Sequence, residues 1–310
     1  MNQRACDNKK WRVAGRTVAI VALLGALGLA FAAATLALTR QRGAVAAPEG
    51  EPESIRGFAV DLGDDVVLEM VWIPPGEFLM GSPANEAGRD DDETQHAVAL
   101  AKGFWMGKYE VTQAQWENVT GNNPSYFKGD PRLPVENVSW LNCREFLDAL
   151  NGRASELGLA RDVLREGEFR LPTEVEWEYA CRAGTTTPYH FGENISTDQA
   201  NFRGPATRGD DLPDADLRKT LPVGSFPANT WGLHDMHGNV WEWCEDVYAA
   251  YAEGSTVDVQ DAGAHALRVL RGGAWGFPSK HCRSAFRSRI APGHRSDFIG
   301  FRVVFGPAVR

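Results

Sequence analysis

The 310 residues carry 41 acidic against 32 basic side chains, and a net charge of −9 leaves no basic surface for neutralising phosphates, which argues against nucleic acid as a partner. Ten tryptophans and 32 glycines in a chain that is 43% hydrophobic exclude a disordered polymer and predict one large, loop-rich domain with indoles in its core. The predicted elements begin with an uncharged, mostly apolar run over residues 17–38, long enough to span a bilayer. Arg4, Lys9, Lys10, Arg12 and Arg16 precede it, so residues 1–16 should stay in the cytoplasm and the rest of the chain should lie outside. We read an uncleaved, single-pass signal-anchor in the inner (plasma) membrane. The competing reading is a signal peptide cut after Ala44-Val45-Ala46, which would release a periplasmic or secreted protein. Residues 39–56, rich in Ala, Pro, Gly and Glu, read as a linker to a folded domain over 57–310.

Within that domain the short β-branched and aromatic runs at 66–73 and 103–111 suit strands. Two amphipathic helices are expected, at 138–154 with Trp140, Cys143, Leu147 and Leu150 on one face, and at 173–182, where Thr173 and Glu176 have capping-box spacing. Trp177 and Tyr179 of the second should be core. Residues 183–229 are mostly turns, an unusual length of loop for a compact domain unless something such as a bound metal orders it. The acidic runs at 85–93 and 210–216 read as solvated loops.

The densest chemistry lies in Asp235-Met-His-Gly-Asn-Val-Trp-Glu-Trp243. Asp235 and Glu242 supply carboxylates and the turn at Gly238-Asn239 can aim peptide carbonyls inward, an all-oxygen set of the kind calcium prefers; the alternative is a turn braced by tryptophans. If the flanking indoles are buried, Glu242 is drawn in with them and needs a partner for its charge. His190, His234, His237 and His281 show no metal-ligand spacing, although a two-histidine, one-carboxylate iron site assembled from His234 or His237, His281 and an Asp stays open. No nucleophile elbow, phosphate loop or dinucleotide fingerprint occurs.

The same nine residues resemble the signature of the formylglycine-generating-enzyme, or sulfatase-modifying-factor, family. So do, in the family's order, Met70-Val-Trp-Ile-Pro-Pro-Gly-Glu-Phe-Leu-Met-Gly-Ser82, Lys108-Tyr-Glu-Val-Thr-Gln-Ala-Gln-Trp116, Pro134-Val-Glu-Asn-Val-Ser-Trp140, Arg170-Leu-Pro-Thr-Glu-Val-Glu-Trp-Glu-Tyr179, Pro222-Val-Gly-Ser-Phe-Pro-Ala-Asn229, Leu270-Arg-Gly-Gly-Ala-Trp275 and Ile299-Gly-Phe-Arg302. The resemblance implies an α+β fold, a C-type-lectin-like variant with little regular secondary structure. It also implies structural calcium, held at one loop by the side chains of Asp235 and Glu242 and the carbonyls of Gly238 and Val240, and at another by Asn201, the Phe202 carbonyl and either Asp214 or Asp216. Cys181 stands where the family has a disulfide cysteine, with Cys282 as the implied partner, against the alternative of buried free thiols.

The chain departs from the family after Gly272-Gly273. The family enzyme oxidises a sulfatase cysteine to formylglycine with a copper-binding pair of cysteines in that segment, whereas this one, Ala274 to Arg287, is shorter and holds Cys282 alone. One thiolate cannot form a two-coordinate Cu(I) site, so copper and formylglycine generation are not expected. Three functions remain in order of preference: an extracytoplasmic binding or maturation factor for an envelope protein or peptide substrate, an oxidative enzyme using another metal, and a formylglycine generator.

Overall fold

The computed structural model describes residues 45–46, 57–154, 156–157, 167–204, 218–251 and 266–309. The expected anchor at 17–38, and Asp214 and Asp216, lie outside these residues. Among the described residues no helix is long and apolar enough to cross a membrane.

The strands, in chain order, are β1 (Val45–Ala46), β2 (Gly57–Gly63), β3 (Val66–Ile73), β4 (Gly76–Met80), β5 (His96–Leu100), β6 (Phe104–Gly107), β7 (Glu168–Arg170), β8 (Trp241–Val247), β9 (Arg268–Arg271), β10 (Ser288–Ile290), β11 (Ile299–Gly300) and β12 (Val304–Gly306). Six form an antiparallel sheet in the order β1-β2-β3-β6-β12-β7. Four more run β10-β9-β8-β11, with β11 parallel to β8, and β4 pairs with β5 as a hairpin. The segment read as a linker thus contributes β1, which pairs Val45 with Ala59. β3 occupies the predicted 66–73, whereas the predicted strand at 103–111 stops at Gly107, because beyond it the backbone turns to hydrogen-bond with Glu69 and Phe301.

Among the described residues three α-helices each start at a reciprocal capping box: α1 (Gln113–Thr120) at Thr112 and Gln115, α2 (Trp140–Gly152) at Ser139 and Asn142, and α3 (Glu174–Arg182) at Thr173 and Glu176. α2 and α3 fall within the predicted spans, and α1 lies in the Lys108–Trp116 block without having been foreseen as a helix. The apolar faces of α1 and α2 pack on the large sheet, where Trp116 stacks on Phe146 and meets Phe301 edge-on. Trp177 and Tyr179 of α3 are buried in a second cluster with Val71, Met106 and Met236. Described residues of 183–229 contain no helix or strand, and hydrogen bonds such as Thr187 Oγ1 to the Tyr189 carbonyl, Asn201 Nδ2 to the Lys219 carbonyl and Thr230 Oγ1 to the Ala183 carbonyl hold that part of the chain.

Candidate functional site

The segment 235–240 folds as a tight loop feeding β8, whose first residues are Trp241 and Glu242. Asp235, Gly238 and Asn239 all have positive φ (58°, 111° and 60°). At Gly238 a Cβ would come within 2.3 Å of the Asn201 carbonyl oxygen, so the close approach of the two loops requires glycine. The Asn239 amide N–H donates to that same carbonyl at 2.8 Å, and its side chain accepts from Asn201 Nδ2 and the Leu221 N–H while donating to Glu110. The two regions that the resemblance assigned to separate calcium loops are therefore joined directly, with Asn239 as the clasp.

Behind the clasp sit three carboxylates, Glu110, Asp235 and Glu242, all at least 93% removed from solvent, and one equally buried guanidinium, Arg302. Arg302 grips Glu242 through Nε and Nη2 at 2.8–3.1 Å, and Trp177 Nε1 donates to the same carboxylate at 2.7 Å. That guanidinium is the partner that the sequence reading left to a cation. Arg302 is itself fixed by the carbonyls of Gly107, Lys108 and His234. Glu110 accepts from Asn239 Nδ2 and the Val240 N–H, and Asp235 Oδ2 accepts from the Gly224 N–H at 2.7 Å. Burial, reinforced by the neighbouring carboxylates, pushes Glu110 well above the ordinary carboxylate range. Burial pushes Asp235 up to about 6, against the opposing pull of the Gly224 amide and Arg302.

As a calcium site the cluster fits in charge, since carboxylates outnumber the buried guanidinium. The donor set is smaller than the sequence suggested. Glu242 already accepts four close contacts on two oxygens, which leaves Asp235 and the carbonyls of Gly238 and Val240 as the protein oxygens nearest the expected role. Asn201 donates through Nδ2 to Asn239 and to the Lys219 carbonyl.

Among the described residues the buried His237 and Cys181 are engaged in hydrogen bonds that hold the fold. His237 is buried, with Nδ1 2.7 Å from the Cys282 carbonyl oxygen and Nε2 accepting the His190 N–H at 3.1 Å, which fixes it as the neutral Nδ1–H tautomer. Burial and the adjacent His190 hold it well below the usual imidazole range. Its lone pair is committed, so it cannot take the proton of the Cys181 thiol, whose sulfur lies 3.9 Å from both ring nitrogens. Burial pushes Cys181 up to about 12 and Cys282 higher still. The Cys181–Cys282 bridge implied by the resemblance is not formed; Cys143, Cys181, Cys244 and Cys282 are all buried free thiols, with Cys181 directed at Ser284 Oγ (3.5 Å) and the Met236 carbonyl. His234 Nδ1 is tied to the Phe226 carbonyl, and among the described residues no three His, Cys, Asp or Glu side chains converge as a metal cage, so the iron arrangement is not assembled.

The segment after Gly273 is aromatic instead. Trp275 stacks on Phe298 (4.5 Å) and meets Phe127 edge-on, Phe277 packs on Phe298 and Trp241, and Tyr126 stands 71% exposed at the end of the series.

A second set of buried charges supports the site from α3. Glu174, Glu178 and Arg182 lie on one face of that helix. Arg271 bridges Glu174 and Glu178 at 2.7 Å each, Arg287 joins Glu174, Arg182 joins Glu178, and Arg283 joins Glu86 and Glu93. Sequence reasoning missed Glu110, Arg302 and this network. The signal available was a charged residue inside an otherwise apolar block, as in Glu110-Val-Thr and Gly300-Phe-Arg302.

Compared with known proteins, the chain matches the sulfatase-modifying factor enzyme 1-like domain over residues 63–306. It is 31% identical over 250 residues to the formylglycine-generating enzyme of Streptomyces coelicolor, covering 77% of this chain and 68% of that enzyme. It is 32% identical over 268 residues to the serine/threonine-protein kinase pkn1 of Chlamydia caviae, covering 77% of this chain but spanning only 38% of the kinase. Among solved structures, PvdO from Pseudomonas aeruginosa superposes with a TM-score of 0.65 at 30% identity, over 80% of this chain and 97% of PvdO. With its α+β, loop-rich architecture and its matched blocks in order, the chain belongs to the sulfatase-modifying-factor (formylglycine-generating-enzyme-like) family.

Proposed function

We propose that the protein is a binding or maturation factor of this family, held outside the cytoplasm by its N-terminal segment and performing no copper-dependent cysteine oxidation. The observation that carries this reading is the segment after Gly273, where the sequence offers one cysteine, Cys282, and that thiol is fully buried with burial suppressing its ionisation. Where a Cu(I) pair would need accessible thiolates, the neighbouring residues are Trp275, Phe277 and Phe298. The partner is an envelope protein or peptide. Relatives named as a kinase and as a formylglycine-generating enzyme support a domain whose fold serves several activities. The test is to incubate the full-length protein, with Cu(I) and oxygen, with a sulfatase-type cysteine peptide and follow the peptide by mass spectrometry. The peptide is expected to emerge unchanged, and an aldehyde product would overturn the reading. Membrane attachment is tested by fractionation and N-terminal sequencing: an intact N-terminus in the membrane fraction is expected, and a mature N-terminus near Ala47 in the soluble fraction would replace the anchor with a cleaved signal.

We also propose a structural calcium ion at the Asp235 loop, supported by the buried surplus of carboxylates. Asp235 and the carbonyls of Gly238 and Val240 would hold it, and the ion would offset the negative charge that Arg302 leaves uncompensated.

A further inference from the structure

We propose that the cleft between residues 83–88, 186–195 and 279–283 is a binding site for a neutral, hydroxyl-rich ligand, a short oligosaccharide. The cavity is about 590 Å³, within the range of small-ligand sites. It is preformed, because buried bonds pin each wall. Arg283 fixes the first wall through Glu86 (2.6 Å), Glu93 (2.8 Å) and the Gly88 carbonyl (2.6 Å). The second is tied to the third where the Ser284 N–H donates to the Pro188 carbonyl (2.7 Å) and Tyr189 Oη donates to the Ser279 carbonyl (3.0 Å); Arg182 holds the Thr187 carbonyl. A ligand therefore meets a rigid cleft and does not bear the entropic cost of ordering it.

The groups that hold the walls differ from those that face the opening. Asn85, Thr186, Glu193, Asn194 and Lys280 line the cleft, are exposed, and make no side-chain hydrogen bond or ion pair with any described residue. Arg283, 1% exposed, leaves its buried Nε without a hydrogen-bond partner at the same cleft. The five exposed side chains present donors and acceptors around one space, with the Arg283 guanidinium in the wall behind them. Glu193 and Lys280 offset each other, and Arg283 is already engaged by two glutamates, so no positive field selects a phosphate. The apolar lining, Pro83, Ala87, Pro188, Ile195 and the largely buried ring of Tyr189, offers little exposed surface to anchor a large hydrophobic side chain. A sugar hydroxyl, which donates and accepts at one atom, matches this mixture.

The ligand-facing side chains of this cleft are distinct from the proposed calcium ligands, although His237 of the Asp235 loop braces its walls by accepting the His190 N–H and meeting the Cys282 carbonyl. The experiment is calorimetry and saturation-transfer NMR on the full-length protein with maltotriose, cellotriose and chitotriose, and with the neutral peptide Gly-Ser-Gly as the contrasting probe. At least one trisaccharide should bind, and Asn194→Ala and Lys280→Ala should each weaken it about tenfold, the equivalent of one lost hydrogen bond, without changing the melting temperature. Binding unaffected by both substitutions would place the sugar elsewhere and overturn the proposal, as would binding of the peptide alone. Failure of all three trisaccharides to bind at concentrations up to about 10 mM, near the weakest affinity worth calling a site, would also overturn it.

Discussion

Two clusters of buried charge meet at Trp177 of α3, whose indole donates to Glu242 and lies beneath Arg271; they are made of the same side-chain types and differ in their balance. In the network of α3 and the C-terminal segment, Arg182, Arg271, Arg283 and Arg287 meet Glu86, Glu93, Glu174 and Glu178, one cation for each anion, at 2.6–2.8 Å. In the cluster behind the Asp235 loop, Glu110, Asp235 and Glu242 share Arg302. The titration follows the local pairing: Arg271 and Arg287 hold Glu174, and Arg283 and Ser82 hold Glu93, below the ordinary carboxylate range despite burial, whereas burial lifts Glu86 above it even beside Arg283 and pushes Glu110 and Asp235 above it as well. A balanced buried network fixes geometry, in this case the position of the helix and the strands beside it. An unbalanced one keeps protons or recruits a cation.

The largest effect expected is from Arg271→Met, which leaves Glu174 and Glu178 short of a partner in a site closed to water and should cost about 3–5 kcal/mol in urea denaturation. A loss near zero would mean that the network contributes no more than surface ion pairs do, and the contrast between the two clusters would collapse.

Glu242→Gln comes next, at about 2–3 kcal/mol, because it breaks the charged grip of Arg302. That loss is expected with or without calcium, so this variant does not report on the ion. Asp235→Asn does. If calcium is bound, EDTA should lower the melting temperature of the wild type, and Asp235→Asn should lose stability and most of that sensitivity. With no ion, EDTA should leave the wild type unchanged and Asp235→Asn should be neutral or stabilising at pH 7, since it removes one of three crowded carboxylates. Calcium content of the purified protein decides between the two outcomes.

A third test separates protonation from ion binding. Glu136 is fully buried, accepts from the Phe127 N–H at 2.8 Å, has one oxygen without a partner, and is pushed by burial up to about 7. Its folded pKa lies above its unfolded value, so the native state holds the proton more tightly. Its contribution is therefore intact below about pH 4.5, is lost as pH rises toward 7, and is flat beyond. Glu136→Gln should remove about 2–3 kcal/mol of that decline, measured as the difference in unfolding free energy between pH 5 and pH 7.5. An unchanged difference would show that the carboxyl reaches water.

What the sequence disclosed follows from the range of the interactions involved. Thr173-x-x-Glu176 is a local signal and located the start of α3; Thr112-x-x-Gln115 carried the same signal for α1 and was passed over because its helix is only eight residues long, with a weak apolar stripe. The turn at Gly238-Asn239 was legible although its close approach to Asn201 was not, and Glu242 between two indoles was rightly placed in the interior. The identity of its partner was not readable, since Arg302 lies 60 residues away, on the far side of the aromatic segment. Glu110, 130 residues before Val240, was hidden for the same reason. Blocks in order show which loops the chain builds, and pairing across them appears only in three dimensions.

The smallest effect concerns the thiols, where no change is expected. Cys181 and Cys282 are buried and unbridged, and Cys181 faces Ser284 and the His237 ring. A bridge closing a loop of about a hundred residues would contribute roughly 2–4 kcal/mol, which in a domain of this size corresponds to a shift of roughly 4–16 °C. Melting curves with and without reductant should therefore superimpose, and non-reducing mass spectrometry after alkylation of the unfolded chain should find Cys143, Cys181, Cys244 and Cys282 each modified. A reductant-dependent fall, with Cys181 and Cys282 protected from alkylation, would show that the pair oxidises. It would also mean that the C-terminal segment is held to α3 by a covalent link in addition to Arg271 and Arg287, in which case Arg271→Met should cost less than its ion pairs suggest, because the ends it joins would already be fixed.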